Sequence, residues 1–228
     1  KWLGRLQVFA IQGITVAGDM SHNSPLTLRA NVAPGLSGTF FSVDLARVRA
    51  AFEAVPWVRH AVVRREFPNR LRVELQEHVA VAYWGDEPEL RLLNSFGEVF
   101  EANVGEVEQE ELPKLSGPDG ESDEVLQMYR TLAPSFAGME LELEQLELSD
   151  RGSWRARLDG GAVIELGRGG PDVVVERLQQ FLKTLTQVTS RYGRGPGSLE
   201  SADLRHVNGY AVKLRGVTTL AAADSGKK

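Results

Sequence analysis

The chain of 228 residues has no cysteine. That excludes disulfide stapling, zinc–thiolate sites and thiol catalysis, but it does not fix a redox compartment. No run approaches the ~20 apolar residues that a membrane-spanning helix needs. Histidine is scarce: four occur, at positions 22, 60, 78 and 206, with no i,i+4 pair, so packed or solvated histidines are favoured over a metal site. No Gly-x-Ser-x-Gly elbow presents a nucleophilic serine. Gly167-Arg168-Gly169-Gly170 stands between a strand pattern and a helix pattern, but a dinucleotide loop would need glycine where Asp172 stands, and no Gly-Lys-Ser/Thr follows. It reads as a structural turn. The acidic run 106–111 could pair carboxylates, yet a polar loop gives little of the desolvation that shifts a pKa, and a solvated loop is the better reading. The chain opens at Lys1-Trp2-Leu3 with neither an initiating Met nor a signal peptide. We expect a fragment of a longer protein, with any membrane anchor upstream.

The apolar content, 42%, and charged content, 25%, are those of an ordinary globular protein. Charge is unevenly spread. Residues 1–78 carry ten Lys/Arg against six Asp/Glu, residues 86–147 carry three against seventeen, and residues 148–228 carry thirteen against eight. These blocks suggest a module boundary near Val79 and an acidic middle. They lack the basic, aromatic-laced face of a nucleic-acid binder.

The clearest local pattern is Leu71, Val73 and Leu75 alternating with Arg70, Arg72 and Glu74, the period of a half-buried strand. Residues 57–66 read as its hairpin partner, with Pro68-Asn69 as the turn. Upstream, Phe9, Ile11, Ile14 and Val16 predict a strand, with Gly13 marking a bulge. Ser24-Pro25 starts a short helix. Ser42 is expected to cap a second helix, with Asp44 in its first turn and Leu45, Val48, Phe52 and Val55 on one face. Residues 8–77 therefore read β-α-α-β-β, two helices on one face of a three-stranded sheet.

Beyond Val79 the pattern predicts strands over 79–84, 91–94 and 98–100, then a loop over 102–111. Leu112-Pro113 and Gly117-Pro118 signal turns before a helix with Val125, Met128, Leu132 and Phe136 on one face. Strands follow over 143–148, 154–158 and 162–166. Pro171 opens a long helix with a stripe of Val175, Leu178, Leu182, Leu185 and Val188. Strands 199–207 and 210–215 then flank Asn208-Gly209, a two-residue hairpin signal. Residues 217–228 fade into a tail expected to be disordered. With no active site in view, binding remains. The last strand is either covered or left as an open sheet edge offering unpaired N–H and C=O groups.

The ordered motifs carry a resemblance. The β-α-α-β-β block with Phe40-Phe41, Pro56-Trp57-Val58, Val63-Arg64-Arg65 and Phe67-Pro68-Asn69-x-Leu71 resembles a POTRA domain. With residues 77–84, 112–118, 153–168, Ala202-Asp203-Leu204-Arg205 and Gly209-Tyr210-Ala211-Val212, the chain resembles the FtsQ/DivIB family of bacterial cell-division proteins over about residues 7–216. The implied fold class is α+β: a POTRA domain over 8–78, then a mixed β domain over 79–216 with an antiparallel-rich sheet and two helices.

The family implies a non-enzymatic, cofactor-free divisome scaffold anchored in the inner membrane by one upstream helix, this chain being its periplasmic part. The implied partners are FtsB and FtsL, with other divisome proteins at the POTRA domain and no nucleic acid. FtsB would add a strand to the last strand, and the site carried over by motif is Arg205, His206, Asn208, Gly209, Tyr210, Ala211, Val212, Lys213 and Leu214. His206 stands where relatives carry a phenol, and Ala80 replaces a proline often seen after the POTRA domain. The rival reading, a POTRA-bearing outer-membrane assembly chaperone, predicts tandem β-α-α-β-β repeats or a C-terminal barrel.

Overall fold

The computed structural model describes residues 11–35, 37–107, 111–206 and 209–217. Contacts divide the chain into two units. One runs to Ala80 and takes in Phe100–Glu106; the other holds Val81–Val99 and the chain from Val107 onward.

The first unit has strands β1 (Gly13–Gly18), β2 (Val58–Glu66) and β3 (Arg70–Glu77) and helices α1 (Pro25–Val32) and α2 (Leu45–Glu53). The sheet order is β1-β3-β2, with β1 parallel and β2 antiparallel to β3. The alternation in β3 is obeyed: Leu71, Val73 and Leu75 are buried against Leu28, Val32, Val48 and Phe52 of the helices. Ser24 caps α1 by accepting the Thr27 N–H at 3.1 Å.

Two expectations are corrected. Gly13 is no bulge, because β1 pairs with β3 in unbroken register from Gly13↔Arg70 to Gly18↔Leu75; Phe9 lies outside the described residues. Asp44, not Ser42, is the N-cap of α2, accepting from the Ala46 and Arg47 amides, since its carboxylate reaches both free N–H groups. Ser42 instead accepts the Thr39 N–H and closes the turn before the helix. The peptide bond at Phe67-Pro68, in the hairpin turn, is cis.

In the second unit, apart from the end residues Ala80 and Phe100, strands β4 (Ala80–Trp84), β5 (Arg91–Asn94), β6 (Val99–Phe100), β7 (Lys114–Ser116), β8 (Leu143–Leu148), β9 (Ser153–Leu158), β10 (Val163–Arg168), β11 (Leu199–Asp203) and β12 (Ala211–Leu214) build a nine-stranded sheet. Its order is β12-β11-β10-β9-β8-β7-β4-β5-β6. Helices α3 (Ser122–Ala137) and α4 (Pro171–Ser190) bury Val125, Met128, Leu132, Phe136, Leu178 and Leu185 in one core with Trp154, Ala156, Ile164 and Leu166 of the sheet.

The pattern gives no strand for β7, which lies between the turn signals at Leu112-Pro113 and Gly117-Pro118. The strand lies inside the sheet, parallel to β4 and β8. The stripe of α4 is centred on Val174, Leu178, Phe181, Leu182, Leu185 and Thr189, with Val175 and Val188 only half-buried. The expected 102–111 loop holds a 3-10 turn over Val104–Val107, and residues 108–110 lie outside the described part.

Candidate protein-binding edge of the second unit

β12 is the terminal strand of the nine-stranded sheet, and among the described residues no strand lies beyond it. Its inner side pairs antiparallel with β11, from Asp203↔Ala211 to Leu199↔Leu214. Just past the strand, the Arg215 N–H donates to Ser198 O at 2.8 Å. Polar groups of an antiparallel strand alternate in direction. Counting back from Arg215, Lys213 and Ala211 face β11, so Val212 turns its N–H and C=O outward and Leu214 its N–H, while the Leu214 carbonyl accepts the Val217 N–H at 3.3 Å. The Leu214 side chain is buried and Val212 half-buried, while Ala211 and Lys213 are exposed. Lys213 Nζ pairs with Glu200, which guards that side of the edge.

The connection from β11 to β12 is not the two-residue turn that Asn208-Gly209 suggests. It spans residues 204–210, with Asn208 outside the described residues. β11 stops early for two reasons. Leu204 is buried in the core, and its N–H bonds to Glu165 O at 2.9 Å. Next, the Asp203 carboxylate accepts from the Arg205 backbone at 3.0 Å and from its Nε and Nη2 at 2.9 and 2.6 Å, bending the chain off the sheet. The Arg205 guanidinium holds the Asp203 carboxyl down to about 2, against the smaller opposing effect of burial. Asp203 raises the Arg205 value in return.

The connection and α4 enclose a cavity of about 660 Å³. Arg205, His206, Gly209 and Tyr210 line it together with Val173, Arg177 and Gln180 of α4. The sequence-predicted residues are thus gathered in two groups: these four around the cavity, and Ala211, Val212 and Lys213 along the edge. Tyr210 faces inward. Its ring meets Phe181 edge-on at 5.0 Å and its hydroxyl bonds to Thr184, so its side chain anchors the strand to α4.

A second groove of about 600 Å³ shares Arg177 and Arg205 with the first and adds Arg151, Arg155 and Arg168 beside Glu147 and Glu165. Arg155 is committed to Glu165 at 2.8 Å and to Glu147 at 3.4 Å. Arg177 is committed to the Leu166 and Arg168 carbonyls. The Arg151 and Arg168 side chains make no hydrogen bond or ion pair among the described residues. Gly167 makes room for this packing: at φ +82°, a Cβ there would meet Arg205 Cγ at 3.0 Å and Arg177 Nη1 at 3.1 Å.

The residues contributed by α4 were not found from the sequence. A usable signal was Val173-Val174-Val175, since three successive valines cannot share one helical face; Val174 is buried and Val173 is 50% exposed.

Among the described residues, one β-α-α-β-β unit followed by a mixed sheet defines a POTRA-bearing protein. Comparison with known proteins narrows the class. Residues 9–78 match the family described as POTRA domain, FtsQ-type, and residues 82–205 match Cell division protein FtsQ/DivIB, C-terminal. Cell division protein FtsQ of Burkholderia pseudomallei is 41% identical over 228 residues, all of this chain and 88% of that protein. That of Thiomonas arsenitoxydans is 39% identical over 218 residues, 95% of this chain and 79% of the relative. The Bordetella pertussis protein is 35% identical over 245 residues, covering all of this chain and 88% of its own. The chain belongs to the FtsQ family of bacterial cell-division proteins.

Proposed function

We propose that this chain is a non-enzymatic divisome link that holds FtsB, and FtsL with it, by accepting an FtsB strand along β12. The observation that carries the reading is the open edge at Val212, continued by the Leu214 N–H, beside the cavity lined by Arg205. Backbone pairing supplies affinity in strand addition, and neighbouring pockets supply register. The cavity would take a side chain flanking the added strand. The adjoining groove, with Arg151 and Arg168 uncommitted, favours an acidic segment ahead of it. Arg205 is already bound to Asp203 through Nε and Nη2, so a partner carboxylate would use its remaining N–H groups. In this reading the chain lies in the periplasm and is tethered to the inner membrane through upstream sequence. Among the described residues no helix is long and apolar enough to cross a membrane. The assembly-chaperone alternative called for tandem β-α-α-β-β units; one such unit is described, and an FtsQ/DivIB match follows it.

Two proline substitutions test the edge. Proline removes a donor and clashes with ladder geometry. Val212→Pro strikes the outward side and should abolish calorimetric binding of an FtsB periplasmic peptide while leaving the circular dichroism unchanged. Lys213→Pro strikes the pairing with β11 and should damage the fold. Wild-type affinity in folded proline variants throughout residues 210–214 would sink the strand-addition mechanism.

A further inference from the structure

Among the described residues of the first unit, the most exposed large apolar side chain is Phe67, at 83%, on the turn between β2 and β3. A solvated phenylalanine at the tip of a hairpin contributes nothing to the core beneath it. Its surroundings give it a use. Phe41, 61% exposed, sits on the loop before α2. Arg65, two residues before Phe67, fixes that loop to the same end of the unit by donating to Phe40 O and Val43 O, each at 2.8 Å. Arg64 and Arg70 flank the tip, are exposed, and make no hydrogen bond or ion pair among the described residues. The acidic side chain of the turn region is Glu66 alone.

The chain also comes into the unit at this end. The Gln12 N–H donates to Asn69 O at 2.9 Å, and Gly13 pairs with Arg70. The sequence ahead of Ile11 contains Trp2, Leu3, Leu6 and Phe9 with Lys1 and Arg5, and no acidic residue. A protruding aromatic flanked by arginines, at the end where the chain enters the unit, has the chemistry of the headgroup boundary of an anionic bilayer. There, rings settle below the phosphates and guanidinium groups pair with them.

We propose that the β2–β3 turn rests in the interface of an anionic phospholipid bilayer, with Phe67 inserted and Arg64 and Arg70 on headgroup phosphates. This rests on the membrane tether of the reading above and is independent of β12. The contact orients the first unit: the turn faces the lipid, and the opposite end, where β3 finishes at Glu77, faces away from it.

Because the chain has no cysteine, a single introduced thiol can carry a polarity-sensitive dye. The full chain, tethered by an N-terminal oligohistidine tag to vesicles containing chelating lipid, would be labelled at Phe67→Cys or, at the far end of β1, at Asp19→Cys. On phosphatidylglycerol vesicles the dye at 67 should shift to the blue and the dye at 19 should not. On pure phosphatidylcholine the shift should be small, and high salt should reduce it. Without the tag, Phe67→Ala should lower partitioning onto anionic vesicles about tenfold, and Arg64→Gln or Arg70→Gln about fivefold each. Equal emission at 67 and 19 on anionic vesicles would overturn the proposal. So would a Phe67→Ala variant that partitions like the wild type, or one that loses affinity for the FtsB peptide, which would make the turn a protein contact. If the shift fails while peptide binding persists, the lipid contact falls and the β12 reading stands.

Discussion

Glu77 offers the sharpest test of what holds the first unit together. Its side chain is almost fully buried, and it accepts four hydrogen bonds from the stretch between β1 and α1. Oε2 takes the Ser21 and His22 amides at 2.8 and 3.0 Å, and Oε1 takes the Asn23 amide at 3.0 Å and its Nδ2 at 2.8 Å. His22 is held between this carboxylate, 3.4 Å from its Nδ1, and the Trp57 ring, stacked at 3.6 Å. Glu77→Ala leaves both buried Asn23 donors without a partner, while water can reach the partly buried Ser21 and His22 amides. At ~1–3 kcal/mol for each stranded donor, the loss should be about 2–6 kcal/mol. Glu77→Gln keeps one acceptor but turns an amide donor toward N–H groups, and should cost about 1–3 kcal/mol. Urea unfolding of the full chain would give the stabilities, and amide exchange at residues 21–23 would show whether the loss begins there. A Glu77→Ala variant within ~0.5 kcal/mol of wild type, the usual range of surface changes, would refute the clamp.

Phe52, fully buried between α2 and the sheet, should cost about 3–5 kcal/mol when cut to alanine, read by the same unfolding assay. The Asp203 carboxyl is held at about 2 by Arg205. Its folded value lies below its unfolded one, so the stability it confers is present above about 4 and is lost as pH falls toward 2. Carbon NMR should find that low titration in wild type and a rise toward the ordinary carboxylate value in Arg205→Ala. The same variant should weaken FtsB peptide binding by ~1–3 kcal/mol in calorimetry if Arg205 also meets a partner carboxylate. We further propose that 8–78 and 79–216 can be expressed separately. Phe100–Glu106 cluster with the first unit, so 8–78 alone should unfold cooperatively but at lower urea than in the full chain; a non-cooperative transition would refute independence.

The elements legible from sequence were those whose burial is periodic. Leu71, Val73 and Leu75 announce β3 because one face is buried and the other wet. The same parity carries on to Glu77, which therefore points inward; a carboxylate at a core-facing position is a readable sign of the clamp. β7 had no such sign, since Lys114-Leu115-Ser116 is too short to show a period and its pairing comes from β4 and β8, both distant in sequence. In the candidate site, the edge position of β12 was left open by the sequence and the cavity beside it was invisible, because most of the α4 residues lining it, Phe181 apart, lie off the buried stripe. Asn208-Gly209 misled for a local reason. The tight-turn preference was outweighed by the burial of Leu204 and the Asp203–Arg205 bend, both of which act before that dipeptide is reached.

The brevity of β7 has a mechanical meaning. Toward β4 it pairs only at Tyr83↔Lys114 and Trp84↔Leu115, extended by the Tyr83 and Gly85 amides bonding to Pro113 O and Leu115 O, both at 2.9 Å. Every strand from β8 to β12 lies on one side of that seam, and β4, β5 and β6 lie on the other. Load applied at β12 would cross longer ladders before reaching the seam, so the sheet should part there first. The β8–β10 amides should then exchange with solvent last, as one cooperative block, while those of Lys114–Ser116 open early.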